Sequence, residues 1–99
     1  SQRKQYTWRA LCLDPEARSV TLHGQRVALT QLEFDLLALL LAHPRQVFTR
    51  AHLLQSVWGY DFLGEEKAVN IHIMNLRRKL GREIIETVRG VGYRLGDET

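Results

Sequence analysis

Hydrophobic residues recur with two different spacings along this chain, and each spacing marks a different kind of element. From Trp8 to Leu29 apolar and polar positions alternate: Leu11 with Leu13, Val20 with Leu22, Val27 with Leu29. Period-two alternation predicts short half-buried strands. Asp14-Pro15-Glu16-Ala17 and His23-Gly24-Gln25 supply the turns between them, so a small N-terminal antiparallel sheet is expected.

The spacing then becomes helical. Thr30-Gln31-Leu32-Glu33 reads as a capping box, with threonine at the N-cap and glutamate three residues on. It opens a first helix through Phe34, Leu37, Leu40 and Leu41 that stops near His43-Pro44. Val47-Phe48 is expected as a brief strand. Thr49 caps a second helix with Leu53, Leu54 and Val57 as its stripe, ended by Trp58-Gly59. Residues 60–65, containing glycine and acid, read as a loop.

Residues 66–80 predict a third helix. Val69, Ile73, Leu76 and Leu80 fall at i, i+4, i+7 and i+11, one face of a helix. Ile84, Ile85 and Val88 predict a strand, residues 89–92 a glycine-punctuated hairpin tip, and residues 93–95 the return strand. Residues 97–99 form a polar tail. The expected architecture is α+β: a helix-turn-helix with an N-terminal antiparallel sheet, a three-helix core and a C-terminal hairpin.

Composition narrows the function classes. Ninety-nine residues with 44% hydrophobic and 25% charged content are those of one soluble globular domain. The longest apolar run, residues 36–42, covers seven residues, whereas a membrane-spanning helix takes about 20. No secretory signal is expected from the polar, basic residues 1–5. Cys12 is the lone cysteine, which excludes an intrachain disulfide framework and fits a reducing cytoplasm. His23, His43, His52 and His72 have no metal-ligand spacing. No catalytic residue, metal or cofactor is expected.

The charge is uneven. Residues 30–66 hold Arg45 and Arg50 against Glu33, Asp35, Asp61, Glu65 and Glu66, a balance of −3. Residues 67–95 hold Lys67, Arg77, Arg78, Lys79, Arg82, Arg89 and Arg94 against Glu83 and Glu86, a balance of +5. A polyanion partner for the C-terminal third follows, or else a merely solvated basic face.

The third helix separates these readings. Opposite its core stripe lie Lys67, Ile71, Met74 and Arg78, flanked by Asn70 and Arg77 on one side and Asn75 on the other. In a major groove, Ile71 would meet a thymine methyl and Asn70 or Asn75 an adenine edge. Lys67, Arg77 and Arg78 would hold phosphates or a guanine. Arg77 and Arg78 project away from the stripe, and neither is expected to matter for folding. His72 adjoins the stripe as a packing or phosphate-contacting residue.

Four ordered runs carry a family resemblance. Residues 67–80 (KAVNIHIMNLRRKL) look like the recognition helix of OmpR/PhoB-type response regulators, and residues 87–94 (TVRGVGYR) like their wing hairpin. Residues 29–37 (LTQLEFDLL) resemble the start of their first helix, and residues 53–59 (LLQSVWG) the end of their second. The resemblance implies a four-stranded N-terminal sheet and a winged helix-turn-helix that binds duplex DNA for transcriptional regulation. It implies base contacts from Asn70, Ile71, Met74, Asn75, Arg78 and Arg89, the last at the minor groove. It implies phosphate contacts from Trp58, Lys67, His72, Arg77 and Thr87. The loop Gly59, Tyr60, Asp61, Phe62, Leu63, Gly64, Glu65 and Glu66 would meet RNA polymerase.

The same resemblance makes residues 1–5 a linker remnant from a receiver domain in cis, residues 6–96 the DNA-binding domain, and homodimers on direct-repeat sites the bound form. Asn70 stands where the family usually has aspartate, and Lys67 where arginine is common. The alternative is a winged-helix module that binds protein and no DNA.

Overall fold

A computed structural model describes residues 4–59 and 66–98. Four short strands come first: β1 (Tyr6–Trp8), β2 (Leu11–Asp14), β3 (Ser19–Leu22) and β4 (Gln25–Arg26). They pair antiparallel in chain order. Then come α1 (Gln31–Ala42), β5 (Phe48–Thr49), α2 (Arg50–Trp58) and α3 (Lys67–Leu80). A 3-10 turn (Arg82–Ile84) leads into the hairpin of β6 (Ile85–Val88) and β7 (Gly92–Leu95).

The N-terminal sheet has one more strand than the alternation in the sequence predicts, and its last strand is earlier. His23 (φ 52°) and Gly24 (φ 79°) both adopt the left-handed conformation, the requirement of a two-residue hairpin turn that suits strand twist. The return strand therefore starts at once, with Gln25 opposite Leu22. Val27 and Leu29 lie beyond it, half-buried against the core on the way into α1. The additional strand is β1, whose Trp8 faces Leu11 across a turn at Arg9, also left-handed at φ 50°.

That turn is held from far along the chain. The Arg9 guanidinium stacks on Trp8 at 4.6 Å, donates to the Asp97 carbonyl at 3.1 Å and pairs with Glu83 at 3.2 Å. Buried Trp8 donates its Nε1 hydrogen to the Gly96 carbonyl at 2.9 Å. The first strand is thereby fastened to the end of the wing.

One core joins all the layers. Leu11, Leu13, Leu36, Leu37, Leu40, Leu53, Val69, Ile73, Leu76 and Ile84 are all buried within it. The four-residue stripe expected of α3 is the face it buries, and that fixes the rotation of the helix. In α2 only Leu53 is fully buried; Leu54 and Val57 pack at the margin. Phe48 and Thr49 pair with Tyr93 and Gly92, so the wing is the far side of a three-stranded sheet ordered β5-β7-β6.

The capping box at α1 forms in both directions: the Glu33 amide donates to Thr30 Oγ1 at 3.2 Å, and the Thr30 amide to Glu33 Oε1 at 3.0 Å. Glu33 also receives Lys79 Nζ from α3 at 2.6 Å. Burial pushes the Glu33 carboxyl up, but the hydrogen bonds from Lys79 and Thr30 and the nearby charges of Lys79 and His72 outweigh it. The carboxyl is held below its ordinary value of 4.5. A depressed carboxyl contributes stability that is complete above its unfolded value and lost as pH falls through its folded one. Lys79→Met is therefore expected to cost about 2 kcal/mol near pH 7 and less at a second, acidic pH below the folded value of Glu33, where its carboxylate charge is lost. Denaturant melts at the two pH values check this, and an equal cost at both would contradict it.

Candidate nucleic-acid interface

With Val69, Ile73, Leu76 and Leu80 buried, the opposite face of α3 is solvent-facing by geometry. Lys67, Ile71, Met74 and Arg78 are all exposed, and Asn75 is half-buried beside them. Ile71 is 59% and Met74 67% accessible, and with Val91 at the wing tip (50%) they are the exposed large hydrophobic residues of the described structure. Isolated exposed apolar residues are ordinary. Two of them one turn apart, ringed by cations and amides, form a surface that suits the apolar and polar edges of base pairs.

Among the described residues the charges on this side are uncompensated. Lys67, Arg78, Arg82 and Arg89 have no hydrogen-bonding or ionic partner within the described structure. The nearby acids point elsewhere: Glu83 pairs with Arg9 and Glu86 with Arg94, at 3.2 and 3.0 Å. Lys79, counted with the basic block, faces inward to Glu33. The positive field is thus narrower than the sequence count of +5, but it is concentrated on one face.

Two expected contact residues are engaged inside the protein. Asn70 Oδ1 accepts from Arg50 Nε at 2.8 Å and from the Tyr93 hydroxyl at 2.6 Å. An amide that reads adenine uses its oxygen and its nitrogen together, and here the oxygen is taken. Asn70 therefore ties α3 to the start of α2 and to the wing. Arg77 is the second. Its Nε and Nη2 donate to the Ile85 carbonyl at 3.2 and 2.8 Å, and Nη2 also to Thr87 Oγ1 at 2.7 Å.

The expectation that Arg77 is indifferent to folding needs correction on this geometry, because its fork bridges the recognition helix to β6. Arg77→Ala is expected to lower stability by about 1–2 kcal/mol, or several degrees in Tm for a domain of this size. Arg78→Ala should leave Tm unchanged. Equal melting of the two variants would show that the bridge has no weight.

Tyr93 is the hub that periodicity does not reveal. Its ring lies under Arg50 at 5.6 Å and Arg77 at 5.8 Å while its hydroxyl reaches Asn70. Arg50, directly after the Thr49 cap, carries no sequence signal for this role beyond its charge. The remaining expected residues lie on α2, α3 and the wing. Trp58 and His72 pack with tilted rings, centroids 5.2 Å apart, and His72 Nδ1 is buried with no partner among the described residues. Thr87 is exposed on β6, and Arg89 stands at the wing tip before Gly90 (φ 77°). Of the loop expected to meet polymerase, Gly59 ends α2 with φ 99° and Glu66 precedes α3. Tyr60, Asp61, Phe62, Leu63, Gly64 and Glu65 lie outside the described residues.

An exposed helix following a helix and a short connection, with a three-stranded sheet continuing it, is the arrangement of a winged helix. The family model for "Transcriptional regulatory protein, C terminal" matches residues 24–95. The chain belongs to this family. It is 46% identical over 89 residues to the DNA-binding response regulator MtrA of Mycobacterium tuberculosis, covering 85% of this chain and 39% of MtrA. The chain thus spans about two fifths of the length of the curated relatives it matches. Among solved structures it is similar to the DNA-binding domain of Klebsiella pneumoniae RstA in complex with the RstA box. That match has TM-score 0.84 and 35% identity, over 94% of this chain and 97% of that one. It is similar also to the response regulator DrrB of Thermotoga maritima, an OmpR/PhoB homologue, with TM-score 0.86 and 28% identity over 94% of this chain and 44% of that one. The OmpR/PhoB resemblance and the winged-helix fold expected from the sequence both hold. Among the described residues no helix is long and apolar enough to cross a membrane.

Proposed function

We propose that this domain binds duplex DNA in a sequence-specific way, as the effector part of a two-component response regulator that controls transcription. The observation that carries the reading is the outer face of α3: exposed Ile71 and Met74 set among the cations Lys67 and Arg78, which have no partner among the described residues, with exposed Arg89 on the wing. In this reading α3 enters the major groove. Ile71, Met74, Asn75 and Arg78 meet base edges, and apolar contacts of this kind suit thymine methyl groups. Arg89 meets the adjacent minor groove, where a narrow A·T-rich stretch attracts arginine.

Lys67, Thr87, Trp58 and His72 serve the phosphates, which fix register without reading sequence. Asn70 and Arg77 act mainly by positioning, since each is already bonded to another element. The domain does no catalysis; its output is occupancy of a site. A receiver domain in cis, joined through residues 1–5 to the binding unit 6–96, would control that occupancy. Two copies would occupy direct repeats, and residues 59–66 would meet RNA polymerase.

Selection of bound sequences from a random duplex pool tests the proposal. A recurring short motif, bound more weakly as salt rises, is the expected result. Absence of any complex even at low salt would overturn it in favour of a protein-binding winged helix.

A further inference from the structure

Between the end of α3 and β6 lies an open cleft of about 540 Å³ lined by Met74, Arg77, Arg78, Arg82 and Thr87. We infer that Arg82, on the turn after the recognition helix, is a DNA-backbone contact at the rim of this cleft, beside the base-reading Arg78. The inference rests on the DNA-binding reading above and extends the interface beyond the helix itself.

The geometry comes from the chain's reversal at Gly81. With φ 108° and ψ 150°, Gly81 stops α3 and turns the chain into the 3-10 turn Arg82–Ile84, whose Ile84 is fully buried. That buried anchor fixes the turn, and Arg82 is left exposed at the rim of the cleft. The three arginines then fall into two states. Arg77 is committed to the Ile85 carbonyl and Thr87. Arg78 and Arg82 have no partner among the described residues. Glu83, the acid next to Arg82 in sequence, is drawn off to Arg9, so nothing within the described structure neutralises Arg82.

Two exposed guanidinium groups beside a bridging third would repel one another unless an anion sits between or near them. The location says which anion. If α3 lies in the major groove and the wing in the neighbouring minor groove, the strand dividing those grooves must cross the gap between α3 and β6. That gap is this cleft. A guanidinium fork suits a phosphodiester oxygen pair, and the exposed side chains of Thr87 and Met74 that line the cleft suit the sugar wall.

Wild type, Arg82→Gln and Arg82→Lys are compared on one duplex recovered from the random pool, across a range of salt. Arg82→Gln is expected to bind several-fold more weakly and to flatten the slope of log K against log salt by roughly 0.9, one phosphate's share. Arg82→Lys should keep the slope. Ethylation of single phosphates should reveal one position that weakens wild type yet leaves Arg82→Gln no weaker than it already is, a readout that a merely structural role would not give. All three proteins should melt alike. An unchanged slope in Arg82→Gln while wild type binds normally overturns the inference and leaves the DNA reading standing. Failure of wild type to bind any duplex overturns both.

Discussion

Gly92→Ala is expected to cost about 3 kcal/mol or more and to detach β5 from the wing. Gly92 is buried in β7, opposite Thr49 on one side and Val88 on the other. A Cβ placed there would land on the Phe48 carbonyl oxygen, with the Phe48 carbonyl carbon at 2.8 Å and Thr49 Cα at 2.9 Å. These are backbone atoms, and no rotamer change relieves the overlap. Overpacking that side chains can absorb typically costs about 1–3 kcal/mol, so a clash between backbones lies at or above that limit. Tm should fall by roughly 12 °C or more for a domain of this length. DNA affinity should fall with it, because Thr49 caps α2 and Tyr93, beside Gly92, holds Asn70 of α3. A Tm within about 2 °C of wild type would show that β5 and β7 are not paired as described.

Leu76→Ala should be comparably severe for a different reason. Leu76 is fully buried on the face of α3 that packs against α1, in the core that also buries Leu37 and Leu40. Truncation removes the transfer energy of three carbons and leaves a cavity that rigid helices on both sides cannot close. Such changes cost about 2–5 kcal/mol, a large part of a typical stability of about 5–15 kcal/mol. Urea denaturation measures the loss directly. A cost under about 0.5 kcal/mol, the range of surface sites, would mean that α3 presents another face to the core, and the candidate interface would rotate with it.

The outer face of α3 follows from the sequence alone. A 14-residue helix with four apolar residues at i, i+4, i+7 and i+11 has only one rotation that buries them. The capping box at Thr30 is similarly local, since both partners lie within three residues. The β1 strand and the Arg9 turn are not legible from pattern alone. Left-handed arginine has no sequence signature, and here it is held by Trp8, Glu83 and Asp97, the last two more than seventy residues away.

The site shows the same division. Exposure of Ile71, Met74 and Arg78 follows from helical phase. The engagement of Asn70 with Arg50 and Tyr93, and of Arg77 with Ile85 and Thr87, joins elements whose relative placement periodicity does not encode. Charge counting overstates the free positive surface for the same reason, because Lys79 turns inward to Glu33 and Arg94 is paired with Glu86. Arg82 carries no periodic signal, because it belongs to no regular helix face.

The central claim is that the outer face of α3 and the wing tip form one surface for DNA. Amide chemical-shift mapping of the labelled domain, titrated with a duplex recovered from the random pool, tests it most directly. Shifts should concentrate at Lys67, Ile71, Met74, Arg78 and residues 88–91, with β1 to β4 unmoved. Shifts confined to the N-terminal sheet, with α3 silent, would contradict the account.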